Sequence, residues 1–240
     1  MSPPPRYAAA RFDTYVPETP SQAEAARAVE AFARDVRAHH HAGGLFRRRP
    51  PLPGHGLYLV GPAGTGKTHL LASAYHALVP AVPAGFLHAS ALFRTYETPE
   101  AFAAAFARRY RVLCLDEVEV DDPANEVRLV RTLKALDAHR VVVLATSNVE
   151  PARFLAATNG SDRFRRFLSE FDRTFRIVVV EGPDYRQRQT RTGRAWIGPP
   201  EATGVALDAA FAADPRPKRR LTWPAFVQAS TSTEHTRLVA

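Results

Sequence analysis

Apolar and polar residues along this 240-residue chain follow two regimes. From Ser21 to the histidines at 39–41, Val29, Phe32 and Val36 recur at helical spacing, which predicts one helix with a single buried face. Ser21, with Glu24 three residues on, is expected to cap its start as a capping box. GlyGly at 43–44 and the proline-rich segment to Pro53 end it. After Pro53 short apolar runs alternate with helix-like stretches. GLYLV (56–60), GFLH (85–88), RVLCL (111–115), RVVVLAT (140–146) and FRIVVVE (175–181) predict five strands. Residues 67–78, 99–109, 124–138 and 161–172 predict helices between them, and in the third of these Leu129, Leu133 and Leu136 form one stripe. Continuous Val/Leu runs alternating with helices imply strands covered on both faces, hence an α/β fold with a mostly parallel sheet. Ligands in such sheets bind beyond the carboxyl ends of the strands.

Outside that pattern the chain is punctuated by proline and glycine. Residues 1–20 are expected to run along the surface, and from about residue 187 the periodic signal weakens, with LTWPAFVQ (221–228) reading as one short helix. The expected organisation is an N-terminal extension and helix over 1–50, a core over 51–186 and a short C-terminal appendage over 187–240.

Composition narrows the class. With 45% hydrophobic and 23% charged residues the chain reads as a globular protein. No apolar run approaches the roughly 18–20 residues that cross a bilayer. The start, MSPPPRYAAARFDTY, lacks the basic-then-apolar order of a secretory signal, so none is expected. Cys114 is the single cysteine, which excludes a disulfide framework and fits a reducing cytoplasm. The net charge of +8 would suit a nucleic acid or an anionic surface. Its carriers are 29 Arg against three Lys (Lys67, Lys134, Lys218), a bias that also reads as a GC-rich genome. No basic helix or aromatic stacking motif accompanies it, so nucleic acid is not the favoured partner. His39–His41 have no Cys or acid at ligand spacing and read as the polar end of a helix.

The chemistry enters with GPAGTGKT, residues 61–68, which follows the first strand, opens a helix and matches G-x-x-x-x-G-K-T. Gly61, Gly64 and Gly66, with Pro62, Ala63 and Thr65 between them, let the backbone bend so that its N–H groups point at phosphate oxygens. The helix start at Lys67, Thr68 and His69 adds free N–H groups and the positive end of a dipole. Lys67 is expected to reach the β- and γ-phosphates of ATP, and Thr68 to ligate Mg²⁺.

RVLCLDEVEVDDP (111–123) ends its apolar run in acids. Asp116 is expected to hold Mg²⁺ through water or Thr68, and Glu117 to polarise the attacking water and accept its proton. A chain that only bound nucleotide would not need the second acid. Glu119 is assigned no such role, and Asp121 and Asp122 read as the N-terminal acids of the next helix. Asn148 closes VVVLATSN at the same sheet edge, where its amide is expected to hold the water and touch the γ-phosphate.

In this order Lys67–Thr68, Asp116–Glu117 and Asn148 resemble a P-loop ATPase of the AAA+ class. LCLDEVEVDDP (113–123), ATSNVEP (145–151) and GPDYRQR (182–188) are similar to the ZapE family, the bacterial cell-division ATPase and its mitochondrial relatives. That resemblance runs from about residue 10 to 190. It implies a sheet order of 5-1-4-3-2, ATP hydrolysis, a protein partner in cell division or protein quality control, and homo-oligomeric assembly. It also implies an arginine completing a neighbour's site. Arg163 in NGSDRFRRFL (159–168) is the matching position, with Arg165 and Arg166 as alternatives. The chain departs from the family in its short tail, which puts nucleotide sensing from a C-terminal helical portion in doubt. A helicase loader of the DnaC type, or a transposition helper acting on DNA, is the competing reading. FDTYVPETPSQ (12–22), a helix and GPAGTGKTHL fit it nearly as well.

Overall fold

The computed structural model describes residues 1–41, 56–94, 97–120, 122–153, 169, 171–173 and 175–185, all within one compact unit, Met1–Gln189. The helix expected over 161–172 falls mostly outside these residues, as do Asp121, Arg163, Arg165, Arg166 and the tail with LTWPAFVQ.

A short 3-10 turn, Pro5–Tyr7, precedes α1 (Pro20–His41). Then follow β1 (Gly56–Val60), α2 (Lys67–Leu78), β2 (Ala84–His88) and α3 (Ala89–Arg94). The order continues with α4 (Pro99–Ala107), β3 (Val112–Asp116), α5 (Pro123–Ala138), β4 (Val142–Ser147), a 3-10 turn at Pro151–Arg153 and β5 (Phe175–Val179). The sheet order is β2-β3-β4-β1-β5, the expected 5-1-4-3-2 read from the other edge. Every pairing is parallel, so the sheet is wholly rather than mostly so.

Alternation along the strands sorts the core into two layers. Leu57 and Leu59 of β1, Val112 and Cys114 of β3 and Leu144 of β4 pack with Leu70, Leu71 and Leu78 of α2 and with Val29, Phe32 and Val36 of α1. Their neighbours in sequence, Tyr58, Val60, Leu113, Leu115, Val143 and Ala145, pack with Leu129, Leu133 and Leu136 of α5. The central strands are thus covered on both faces, as their unbroken apolar runs require. The edge strand β5 departs from that expectation: Phe175 is buried, but Ile177 and Val179 are exposed. An edge strand has one neighbour, and in this one only part of the apolar set meets a helix.

One helix start and one whole helix depart most from the sequence reading. α1 starts at Pro20 and not beyond Ser21, because Thr19 Oγ1 accepts from Gln22 N at 3.2 Å and Pro20 suits the first helical position. Ser21 is used elsewhere: its hydroxyl donates to Val179 O and accepts from Glu181 N, tying α1 to the end of β5. The six-residue α3 was not expected, since it follows β2 with no intervening loop.

Candidate nucleotide site

All five parallel strands point their carboxyl ends the same way, and the distinctive residues gather at three of those ends. After β1 the chain turns through Gly61 to Gly66. Gly61 N donates to Ser147 O at 3.3 Å, which fixes the loop's entry beside β4. Gly64 and Gly66 have φ of 79° and 89°, in the left-handed region that glycine enters without a side-chain clash. Gly66 then serves as N-cap of α2, whose first N–H groups have no partner inside the helix. Thr65 is buried and its hydroxyl donates to Pro62 O at 3.0 Å, bracing the bend. Lys67 is 6% exposed, and its Nζ donates to Gly61 O at 2.7 Å and Pro62 O at 2.6 Å, at the throat of the loop.

The next strand but one closes the site. Thr68 Oγ1 donates to Asp116 Oδ1 at 3.0 Å, so the first turn of α2 and the end of β3 meet directly. A second hydroxyl, Thr146 Oγ1 of β4, donates to the same oxygen at 2.6 Å and accepts from Glu117 N at 3.0 Å. Asp116 is buried, which pushes its carboxyl above its ordinary range; the Thr146 and Thr68 hydroxyls act the other way. A hydroxyl and a carboxylate converging beside a phosphate-type loop form the all-oxygen donor set that a hard cation such as Mg²⁺ takes, so these residues fit that ion.

Glu117 leaves the strand at φ 54°, a conformation uncommon for a residue with a side chain, and remains about half exposed. Its Oε2 lies 2.9 Å from His88 Nε2 at the end of β2. Ser90 N donates to His88 Nδ1 at 3.2 Å, so that nitrogen is an acceptor and the imidazole proton sits on Nε2, which donates to Glu117. Asn148 lies just past β4, where its Nδ2 donates to Glu119 Oε1 at 2.9 Å. Glu119, assigned no role from sequence, thus orients that amide. His69 turns away from the loop: its Nε2 lies 3.1 Å from both Thr14 Oγ1 and Arg11 O.

A brace that the sequence did not single out lies behind the loop. Tyr15 OH donates to Thr65 O at 3.1 Å, and its ring lies against Gly66, where a Cβ would come within 2.6 Å of Cε2. The Asp184 carboxylate occupies the space beside Gly64, and Tyr185 N donates to Gly64 O at 3.0 Å. Tyr185 OH in turn bonds Val16 O. Burial, then the neighbouring Tyr185, pushes the Tyr15 phenol well above its ordinary value, so it remains a donor. The DYR triplet carried the family resemblance but not this contact; Thr146 lies within ATSNVEP and Tyr15 within FDTYVPETPSQ without a role of their own, and His88 ends the GFLH run unassigned.

Comparison with known proteins agrees with this geometry. A model of the AFG1-like ATPase family matches residues 1–221. An uncharacterized protein of Schizosaccharomyces pombe is 28% identical over 175 residues, covering 65% of this chain and 38% of its own length. The cell division protein ZapE of Escherichia coli K12 is 32% identical over 162 residues, covering 61% of this chain and 42% of its own. The chain therefore matches about two fifths of the length of these curated relatives. Among solved structures, that of DnaI superposes with a TM-score of 0.58 at 19% identity, covering 75% of this chain and 93% of its own, a likeness of fold. No helix among the described residues is long and apolar enough to cross a membrane.

Proposed function

The chain belongs to the AFG1-like ATPase family, and from that premise we propose that it hydrolyses ATP to ADP and phosphate at loop 61–68 and spends the turnover on a protein partner. One observation carries the chemistry: the 3.0 Å bond from Thr68 to Asp116, with Glu117 the next residue along. It joins the phosphate loop to the only strand end that offers two successive acids among the described residues.

In this reading the backbone N–H groups of Gly64 to Thr68 and the start of α2 bind the phosphates. Lys67 exchanges its two carbonyl partners for phosphate oxygens. Thr68 and Asp116 would hold Mg²⁺, which would supply positive charge to offset that of the phosphates. Glu117 orients a water for in-line attack on the γ-phosphorus and takes its proton, while the bond to the ADP oxygen breaks. Thr146 fixes Asp116 and the Glu117 backbone together, His88 sets the direction of the Glu117 carboxylate, and Asn148, aimed by Glu119, contacts the water or the γ-phosphate. Arg163 lies outside the described residues and is retained as the candidate finger in a homo-oligomer, with Arg165 and Arg166 as alternatives. A role in cell division is supported by the similarity to ZapE, named as a cell division protein; the cytoplasm as its place and quality control as the other role belong to the same proposal.

Glu117→Gln tests the chemistry: it should keep ATP affinity and lower turnover by about 10²–10⁴-fold, the range of a general base. Normal turnover in that variant would remove Glu117 from the role. ATPase rates measured alone, with single-stranded DNA and with division proteins test the partner; stimulation by DNA only would favour the helicase-loader reading.

A further inference from the structure

At the opposite edge of the sheet, away from the phosphate loop, the strand entrances bring together basic residues that are apart in sequence. α4 runs out at Ala107 into Arg108, Arg109, Tyr110 and Arg111, which lead into β3. α5 runs out at Ala138 into His139 and Arg140, which lead into β4. Because β3 and β4 are parallel neighbours paired Val112 to Val142, the two lead-ins lie side by side, about 5 Å from strand to strand. Backbone bonds lock them there: Val142 N donates to Arg111 O at 3.0 Å, and Arg111 N to Pro83 O at 2.7 Å at the entrance of β2. Arg140 holds φ 58° while its N donates to Asp137 O at 2.8 Å, so the turn presenting it is fixed rather than extended.

Arg108, Arg109, Arg111, His139 and Arg140 are all exposed. Arg111 Nη1 donates to the carbonyls of Ala107 and Tyr110, closing the end of α4. Among the described residues Arg108, Arg109 and Arg140 have no acid within salt-bridge distance, although other surface arginines are paired, as Arg131 is with Glu100 and Arg153 with Glu150. Neither lead-in contains an acid; Asp137, in the last turn of α5, is the nearest in sequence, against four guanidinium groups. Unpaired like charges held this close raise the potential they share, and the folded chain gains nothing from their mutual approach.

We propose that this edge binds single-stranded nucleic acid through its phosphodiester backbone. Guanidinium groups match phosphate oxygens with two parallel N–H donors, whereas a compact ammonium does not. Half-buried Tyr110, between Arg109 and Arg111, has its ring 4.8 Å from that of Phe106 and lies in the same lead-in; in this proposal its exposed part is where an unpaired base stacks. That contact favours a single strand over a duplex, whose bases are already stacked. The sequence hides the surface because neither RRYR nor HR is a motif; only the β3–β4 pairing makes them one patch.

The inference stands apart from the ATPase reading, and its test runs without nucleotide. Fluorescence anisotropy of a labelled oligo(dT) strand measures Kd and its salt dependence for the full chain. The variant R108A/R109A/R140A should bind roughly a hundredfold more weakly at 0.1 M salt. Its log–log salt slope should be shallower by about 2, since each single-strand phosphate contact contributes about 0.7. R27A/R34A/R37A on α1 removes the same charge from exposed positions elsewhere and should change little. Unchanged binding in the first variant, or equal loss in both, overturns the site. A duplex of equal length bound as tightly, or polyglutamate competing as well as oligo(dT), overturns the assignment to single strands. Unaltered thermal melting of the first variant excludes unfolding as the cause of a loss.

Discussion

Thr146→Val removes one hydroxyl at nearly constant volume from the centre of the site. The side chain is 1% exposed, donates to Asp116 at 2.6 Å and accepts from Glu117 N at 3.0 Å. A hydrogen bond to a charged group contributes about 1.5–3 kcal/mol, and an N–H left without a partner costs about 1–3 kcal/mol when buried. Glu117 N is only partly buried, so the two together come to about 2–4 kcal/mol. At roughly 2–4 °C per kcal/mol for a chain of this size, the melting midpoint should fall by about 5–15 °C in calorimetry. The loss also depends on pH. Burial holds Asp116 above its ordinary 3.8, so the folded chain binds that proton more tightly than the unfolded one. The Asp116 contribution to stability therefore falls as pH rises from about 3.8 through the folded value. Removing a hydroxyl that favours the carboxylate deepens that fall, so the Thr146→Val deficit should shrink as the pH is lowered toward 4. A midpoint within about 2 °C of the parent protein at neutral pH, with unchanged turnover, would refute the assignment of Thr146 as the joint between the two acids.

Three further outcomes follow from the same geometry. Lys67→Ala should abolish nucleotide binding in isothermal titration, and retained ATP affinity would overturn the cradle. His88→Ala should lower kcat by about tenfold while leaving KM near its original value, because His88 touches Glu117 and not the phosphates; His88→Gln, which keeps an N–H donor, should restore much of the rate. Gly64→Ala should destabilise the loop both through its φ of 79° and through collision with the Asp184 carboxylate. Adding Asp184→Ala should recover the steric part and leave about 1–2 kcal/mol of backbone cost, read from urea midpoints.

The strands and the bend of loop 61–66 were legible because their signals are local. An unbroken run such as VLCL needs burial on both faces, and GPAGTGKT specifies its own bend. The pairings at the strand ends were not legible. Thr146 and Glu117 are 29 residues apart, as are His88 and Glu117, and only the lateral order β2-β3-β4 brings them together. Ser21 failed as a cap for a similar reason: Thr19 competes for the same N–H groups, and Ser21 has a better partner 158 residues away at Val179. The arrangement of Asn148 and Glu119 shows the limit from the other side, since an acid assigned no role in the sequence turns out to aim the amide.

Tyr15 makes the stretch before α1 part of the loop's own scaffold. Severing the chain near residue 50 would strip a ring from behind Gly66 and lay bare the faces of β1 and α2 that Val29 and Phe32 cover. A tether pulling on residues 11–16 would, by contrast, tug on the Thr65 carbonyl through one phenol, two positions from Lys67. The stretch before α1 and the proposed phosphate cradle thus share one hydrogen bond.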